Sequence, residues 1–305
     1  MKNKIVFGTG TRFGRLNKNL CAELVRYGID NGIVNFDTGH SYSNGNSERR
    51  LGYSLTRMCN FKRNMFSIST KAGTKINKKG KYIKDFSPTV IKSQTLKSLK
   101  NLDIDYIDVL YLHGPEIEDL NNQELIEQLF SLKSEGIIRS LGINTHTTNL
   151  INLIANGSFP FIDQIMIDFN LLQLDRINLM KKCNKANIRI CAGTALAQGL
   201  LLDSPLRIAL RSKSLFYLLR MIFKKETRSF IKDAKLLRNY LKKNFSQIAH
   251  KIPLSYVLNN QFVDEVSIGM LSKKSIDKNI SILNNPISQD ICEKVEKWSL
   301  LNSQL

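Results

Sequence analysis

Eight short runs of apolar and β-branched residues recur along the chain, and segments with helical periodicity separate them. Short continuous apolar runs are typical of parallel strands, which are buried on both faces. Strict alternation of strand and helix favours an α/β fold built around a parallel sheet. We predict strands over Ile5–Gly8, Val34–Thr38, Phe66–Thr70, Asp108–His113, Arg139–Gly142, Asp163–Ile167, Arg189–Ala192 and Glu265–Ile268.

Eight strand-then-helix units without a long linker predict a closed (β/α)8 TIM barrel, formed as a single domain by residues 1–305. A doubly wound dinucleotide-binding sheet is the alternative for such a pattern. That fold expects a G-x-G-x-x-G turn after its first strand. Here Gly8-Thr9-Gly10 is followed by Thr11-Arg12-Phe13, so the third glycine is missing and the barrel is favoured.

Residues 203–245 interrupt the rhythm after the seventh strand. Within them, Leu206–Arg228 interleaves apolar residues with seven lysines and arginines, which predicts a basic helical insertion. Because this loop opens on the active-site side of a barrel, we expect a flap over the substrate or the cofactor phosphates. Contact with an anionic membrane surface is the alternative, and it is not favoured because basic residues break the apolar run.

The chain carries a formal net charge of +19. Such a charge attracts anionic ligands, a phosphate-bearing cofactor among them. The basic residues are spread along the whole chain, however, and no nucleic-acid-binding motif accompanies them. We therefore expect no nucleic-acid partner.

Five cysteines, an odd number without a C-x-x-C pair, argue against a disulfide framework and a zinc site. The apolar run after Met1 is too short for a signal peptide, and no stretch approaches the roughly 18 apolar residues of a membrane span. These features predict a cytoplasmic protein with reduced thiols and without a metal.

Titratable side chains stand where three neighbouring predicted strands end. Asp37, Lys71 and His113 lie at the ends of the second, third and fourth strands, and Tyr42 follows Asp37 in the next loop. Active sites of TIM barrels lie at the carboxyl ends of the strands. We therefore expect these four residues, called the tetrad below, to converge.

The tetrad suits proton transfer to a carbonyl group. A free tyrosine has a pKa near 10, and a neighbouring ammonium lowers it, so Lys71 is expected to lower the pKa of Tyr42 while Asp37 holds Lys71. His113 would orient a carbonyl oxygen by a hydrogen bond. Tyr42 would then give or take the proton as hydride reaches or leaves the carbon.

The residues around the tetrad resemble the aldo-keto reductase family. Phe36–Ser43 is similar to that family's motif around its catalytic aspartate and tyrosine, and Ser43–Gly52 continues it. Ser69–Lys71 resembles the strand with the family lysine, Tyr106–His113 the strand with its histidine, and Leu132–Ile143 the passage before its cofactor contacts. The resemblance covers about residues 5 to 285.

The resemblance implies that NADP or NAD binds without a dinucleotide-binding sheet. Asn144 and Thr145 stand where the family places a Ser-Asn pair for the nicotinamide amide, and Gln164 matches a glutamine that shares this task. The other implied cofactor contacts are in the turn after the first strand and in the segment that grips phosphates and adenine: Gly8, Thr9, Gly269, Ser275 and Asn279.

Two departures bear on cofactor and substrate. Gly193 replaces the aromatic residue that usually stacks on the nicotinamide, which resembles the aldose or sugar dehydrogenase branch. Ser275 replaces the arginine that selects the NADP phosphate. Lys273, Lys274 or Lys278 could substitute without bidentate contacts, so NADP is only slightly favoured over NAD.

The sequence thus predicts an NAD(P)-dependent oxidoreductase acting on a small carbonyl or sugar substrate. A catalytically quiet, nucleotide-binding regulatory protein of the same family is the alternative. The complete tetrad favours the enzyme, because a regulatory protein need not keep all four groups.

Overall fold

The computed structural model describes residues 4–77, 81–212 and 225–302. Its strands are β1 (Ile5–Gly8), β2 (Asn35–Asp37), β3 (Ser67–Ala72), β4 (Thr74–Ile76), β5 (Tyr82–Lys84), β6 (Ile107–His113), β7 (Ile138–Asn144), β8 (Gln164–Asp168), β9 (Arg189–Gly193) and β10 (Glu265–Gly269). Eight of them close a parallel barrel in the order β1-β10-β9-β8-β7-β6-β3-β2. The predicted (β/α)8 barrel is confirmed, and each predicted strand overlaps a barrel strand.

The barrel strands alternate with helices that pack on the outer face. The helices are α1 (Lys18–Asp30), α2 (Asn46–Gly52), α3 (Pro88–Leu102), α4 (Ile117–Leu120), α5 (Gln123–Ser134), α6 (Thr148–Ala155), α7 (Ile177–Lys185), α8 (Pro205–Ser212), α9 (Lys225–Asn244), α10 (Ile252–Asn259), α11 (Lys273–Asn284) and α12 (Gln289–Asn302). A π-helical turn, Tyr53–Met58, continues α2. Asparagine caps begin α1 and α5, where Asn17 and Asn122 accept from backbone N–H groups two and three residues on.

Two sets of apolar side chains make up the core. Outward-facing strand residues pack against the helices, as where the Phe7 ring lies against Gly28 of α1, whose added Cβ would meet it at 3.3 Å. Val109, Tyr111, Met166 and Cys191 form a second, smaller cluster from the alternate face of their strands, which fills the barrel. Burial of each large apolar side chain contributes about 1.5–3 kcal/mol.

The hairpin of β4 and β5 was not predicted from the sequence. Its strands pair antiparallel, with Thr74 opposite Lys84. All three residues of β5 are exposed, so no alternation of apolar and polar residues marks the strand. The hairpin follows β3 and therefore stands at the carboxyl end of the barrel.

The structure describes both ends of the predicted insertion over 203–245, and both are helical: α8 at the start and α9 at the end. Residues 213–224, the middle of the predicted Leu206–Arg228 helix, lie outside the described residues. Tyr240 of α9 stacks on Trp298 of α12, with ring centroids 4.2 Å apart. Over the described ranges, no helix is long and apolar enough to cross a membrane.

Candidate active site

The structure brings the tetrad together at the carboxyl end of the barrel. Lys71 Nζ lies 2.6 Å from Oδ1 and 2.7 Å from Oδ2 of Asp37, and 5.0 Å from the centroid of the Tyr42 ring. The rings of Tyr42 and His113 meet edge-on, with centroids 6.1 Å apart. Neighbouring parallel strands deliver Asp37, Lys71 and His113 to one place, as expected from their positions at strand ends.

The ammonium of Lys71 is fully partnered although its side chain is buried. It donates to both oxygens of Asp37 and, over 2.7 Å, to the backbone oxygen of Thr38. Ser69 Oγ donates to Asp37 Oδ1 over 2.8 Å. Burial alone would lower the pKa of Lys71, but Asp37 and Tyr42 outweigh it and raise that pKa. Lys71 is therefore a cation at neutral pH.

The loop after β2 fixes the position of Tyr42. The Tyr42 ring packs against Gly39, whose added Cβ would lie 3.1 Å from ring carbons. The next three residues, Ser43, Asn44 and Gly45, all have positive φ, which turns the chain sharply into α2. Asparagine and glycine tolerate this backbone better than most residues.

The pKa of Tyr42 is raised, not lowered as the sequence led us to expect. Burial is the largest cause, and the lowering effect of Lys71 does not overcome it. The pKa rises because removing the phenol from water disfavours its anion more than one ammonium favours it. Tyr42 is thus a protonated phenol at neutral pH, ready to donate.

His113 stands in a cationic and largely buried position. Burial lowers its pKa to about 4, and Lys71, His146 and Lys84 add to the effect. Its Nδ1 is shielded from solvent and finds no hydrogen-bond partner within the described part of the chain. A neutral imidazole offers one donor and one acceptor nitrogen, which suits a hydrogen bond to a substrate oxygen.

Four of the predicted cofactor residues border the tetrad. Gly8 ends β1 beside Asp37 on one side and Gly269 on the other. Thr9 donates to the backbone oxygen of Asp37 through both its N–H, over 2.7 Å, and its Oγ1, over 3.0 Å. Asn144 ends β7 and pairs in register with His113.

The start of α11 is a second polar site at this end of the barrel. Ser272 and Ser275 form a reciprocal capping box, and Lys273 and Lys274 occupy the first turn. Lys273 is engaged with Glu23 at 2.6 Å. A helix N-terminus after the last barrel strand attracts phosphate, because its N–H groups and its dipole both favour an anion.

These residues fit a nicotinamide dinucleotide. Asn144 and Thr145 offer an amide and a hydroxyl next to the tetrad. The Asn144 amide and the Thr145 backbone N–H both donate to the backbone oxygen of Met166. Asn279 is buried on α11. The carboxyl ends of β1 and β10 carry Gly8 and Gly269, which lie side by side in the barrel. Throughout the described segments, no group of three or more histidine, cysteine or acidic side chains could hold a metal ion.

Gln164 is not brought to the site. It opens β8, and its Nε2 donates over 2.9 Å to Glu265, which opens β10 and also pairs with Arg189. These residues lie at the amino-terminal end of the barrel, opposite the tetrad. The strand register places Met166 beside Asn144 instead. The structure thus places the Gln164 amide away from the tetrad, and its role at the cofactor stays a prediction from the resemblance.

The sequence interpretation missed one acidic residue at the rim. Asp168 ends β8, and its Oδ2 lies 3.2 Å from Nδ1 of His146. It pairs in register with Gly193, where an added Cβ would meet nothing closer than 3.4 Å, the Oδ1 of Asp168. Its position as the last residue of an apolar strand was the available signal.

Comparisons with known proteins agree with the fold. The model of the aldo/keto reductase family matches residues 4–299. The chain is 34% identical over 191 residues to the uncharacterized oxidoreductase YqkF of Bacillus subtilis, covering 62% of this chain and 60% of that protein. It is 28% identical over 201 residues to the NADH-specific methylglyoxal reductase of Escherichia coli, again covering 62% and 60%.

Among solved structures, the holo form of aldo-keto reductase AKR11C1 from Bacillus halodurans has the same fold. The TM-score is 0.78 at 22% identity, over 97% of this chain and 91% of that one. At this identity the likeness shows the fold alone. The match to the two curated relatives spans less than two thirds of their length.

Proposed function

Because the chain belongs to the aldo/keto reductase family, we propose that it is an NAD(P)-dependent oxidoreductase with Tyr42 as the general acid and base. Its reaction interconverts a carbonyl group and an alcohol. One observation carries the proposal: the ammonium of Lys71, held by both oxygens of Asp37, stands 5.0 Å from the ring of Tyr42.

Tyr42 donates the proton in the reduction. A bound nicotinamide supplies or accepts the hydride in this chemistry. The raised pKa of Tyr42 keeps its phenol protonated at neutral pH, and the cation of Lys71 then stabilises the phenolate that remains. In the reverse direction the same phenolate takes the proton of an alcohol.

His113 orients the substrate. Since its pKa is lowered to about 4, its imidazole is neutral and does not compete with Tyr42 as an acid near pH 7. It is placed edge-on to the Tyr42 ring, so one carbonyl oxygen can accept from both side chains. Two donors aimed at one oxygen polarise the carbonyl group.

Asn144 and Thr145 would hold the nicotinamide amide, with Gly8, Thr9 and Gly269 lining the ring's position. The start of α11, with Ser275 and Lys274, would hold phosphate, and the buried Asn279 lies further along the same helix. Lys274 gives a slight preference for NADP over NAD, since Lys273 is engaged with Glu23. The substrate class proposed is a small aldehyde, ketone or aldose.

Fluorescence titration with NADH and NADPH, followed by a panel of carbonyl compounds and aldoses, tests the proposal. We expect micromolar cofactor binding, on the order of typical KM values, and turnover of at least one substrate class. Absence of cofactor binding would contradict it. Binding without turnover over the whole panel would favour the alternative, a nucleotide-binding regulatory protein.

A further inference from the structure

A basic cavity lies outside the barrel, between α1, α2, the π-helical turn and the end of α3. Its volume is about 360 Å³. Five lysine and arginine side chains line it, against a single carboxylate, that of Asp103. We propose that this cavity binds a small phosphate-bearing anion, independently of the reaction at the tetrad.

Four of the five cations are left without an acidic partner. Asp103 accepts from Arg57 Nε over 3.0 Å, and this pair is internally balanced. Within the described residues the others form no ion pair: Lys18, Arg49, Arg50 and Lys100. Four uncompensated positive charges around one cavity favour a ligand with more than one negative charge.

Arg50 is the central observation. Its Nε is shielded from solvent and has no hydrogen-bond partner in the part of the chain that the structure describes. A shielded donor on a charged group without a partner is unfavourable, and native proteins rarely leave one so. Arg50 also lines the cavity, so an anion bound there would neutralise the charge of its guanidinium group.

The chemistry of the lining favours phosphate. Arginine forks match phosphate oxygens in bidentate fashion, while lysine contributes a point charge. Lys18 Nζ stands 3.4 Å from the centroid of the Tyr53 ring, which holds that charge at the cavity wall. Asn46 and Asn101 add amide groups to the same wall.

The cavity is separate from the tetrad. Fully buried Glu48 stands between them and accepts from Asn101 Nδ2 over 2.9 Å and from Thr70 Oγ1 over 2.7 Å. Asn101 lines the cavity, and Thr70 belongs to the barrel strand β3. An anion in the cavity therefore does not occupy the space proposed for the cofactor.

Titration calorimetry with inorganic pyrophosphate on the full chain tests the inference. The titration is run at about 0.1 M salt, because attraction between exposed charges more than ~10 Å apart is then largely screened. We expect saturable binding of one pyrophosphate that Arg50→Gln weakens about tenfold or more, the effect of losing a charge-assisted hydrogen bond. Asp103→Asn should tighten binding, and asparagine tolerates the positive φ of 58° at that position.

Two matched variants separate the site from general attraction. Lys92→Gln removes the same charge from α3, about two turns before the cavity, and should leave binding unchanged. Lys274→Gln removes a cation at α11, where the cofactor phosphate is proposed to bind, and should leave unchanged the binding event that depends on Arg50. Absence of saturable pyrophosphate binding would overturn the inference, as would binding to anionic phospholipid vesicles alone. It would also be overturned if Lys92→Gln weakened pyrophosphate binding as much as Arg50→Gln, or if Lys274→Gln weakened it and Arg50→Gln did not.

Discussion

Lys71 Nζ contacts both carboxylate oxygens of Asp37, at 2.6 and 2.7 Å, and neither side chain is more than 7% exposed. Coulomb attraction and a third acceptor, the Thr38 oxygen, offset the loss of hydration. Breaking such a pair leaves a buried charge without a partner. The pair is therefore a structural unit as well as the electrostatic setting of Tyr42.

Lys71→Met should lower the free energy of unfolding by roughly 3–5 kcal/mol, the usual cost of an uncompensated buried charge. The double variant Lys71→Met/Asp37→Asn removes both charges and should be more stable than the single variant. Urea unfolding at pH 7 measures both. If the double variant lost the sum of the stabilities that Lys71→Met and Asp37→Asn lose singly, the two side chains would not interact.

Lys71→Met should also move the pH dependence of alcohol oxidation to higher pH. Lys71 lowers the pKa of Tyr42, so without it the phenolate forms only at higher pH. Asp37→Asn is the matched comparison: the Asp37 carboxylate raises the pKa of Tyr42, so its removal should not reproduce the upward shift. Identical profiles for wild type and Lys71→Met would contradict the coupling.

His113 should make the protein less stable in acid. Its pKa is lowered from 6.5 to about 4 in the folded protein, so the unfolded chain binds the proton first as pH falls. The stability lost between pH 7 and pH 5 is about 2 kcal/mol. His113→Gln should lose correspondingly less stability over this interval in urea unfolding. Equal acid sensitivity of the two proteins would be inconsistent with the lowered pKa.

Gly52 marks a close approach of α2 to the end of α3. An added Cβ would lie 2.4 Å from the backbone oxygen of Leu102. Gly52→Ala should therefore cost about 1–3 kcal/mol, as overpacking usually does. Gly10→Ala is the control, because nothing lies within 4 Å of its added Cβ. Thermal unfolding of both variants checks this, and an unperturbed Gly52→Ala would argue against the packing.

The sequence predicted the barrel because burial on both faces leaves an apolar signature in most of the barrel strands. The exposed strand β5 carries no such signature and was missed. Gln164 was assigned to the cofactor site from motif resemblance. In the structure it is the first residue of β8 and its Nε2 donates to Glu265, and the direction of this side chain could not be read from the motif.

The residues of the tetrad could also be predicted from their positions at or after strand ends, whereas the direction of the Tyr42 pKa could not. The net direction of the Tyr42 pKa depends on how deeply the phenol is buried, and depth arises from the packing of the loop after β2. The basic cavity likewise combines residues from four separate elements, none of which is basic enough alone to indicate a site.

The Tyr42→Phe variant shows whether Tyr42 transfers the proton. The variant keeps the ring and loses only the hydroxyl group. Turnover with the best carbonyl substrate should fall by about 10²–10⁴-fold, the usual worth of general acid catalysis, while the cofactor dissociation constant measured by fluorescence stays unchanged. Full turnover by Tyr42→Phe would contradict the assignment.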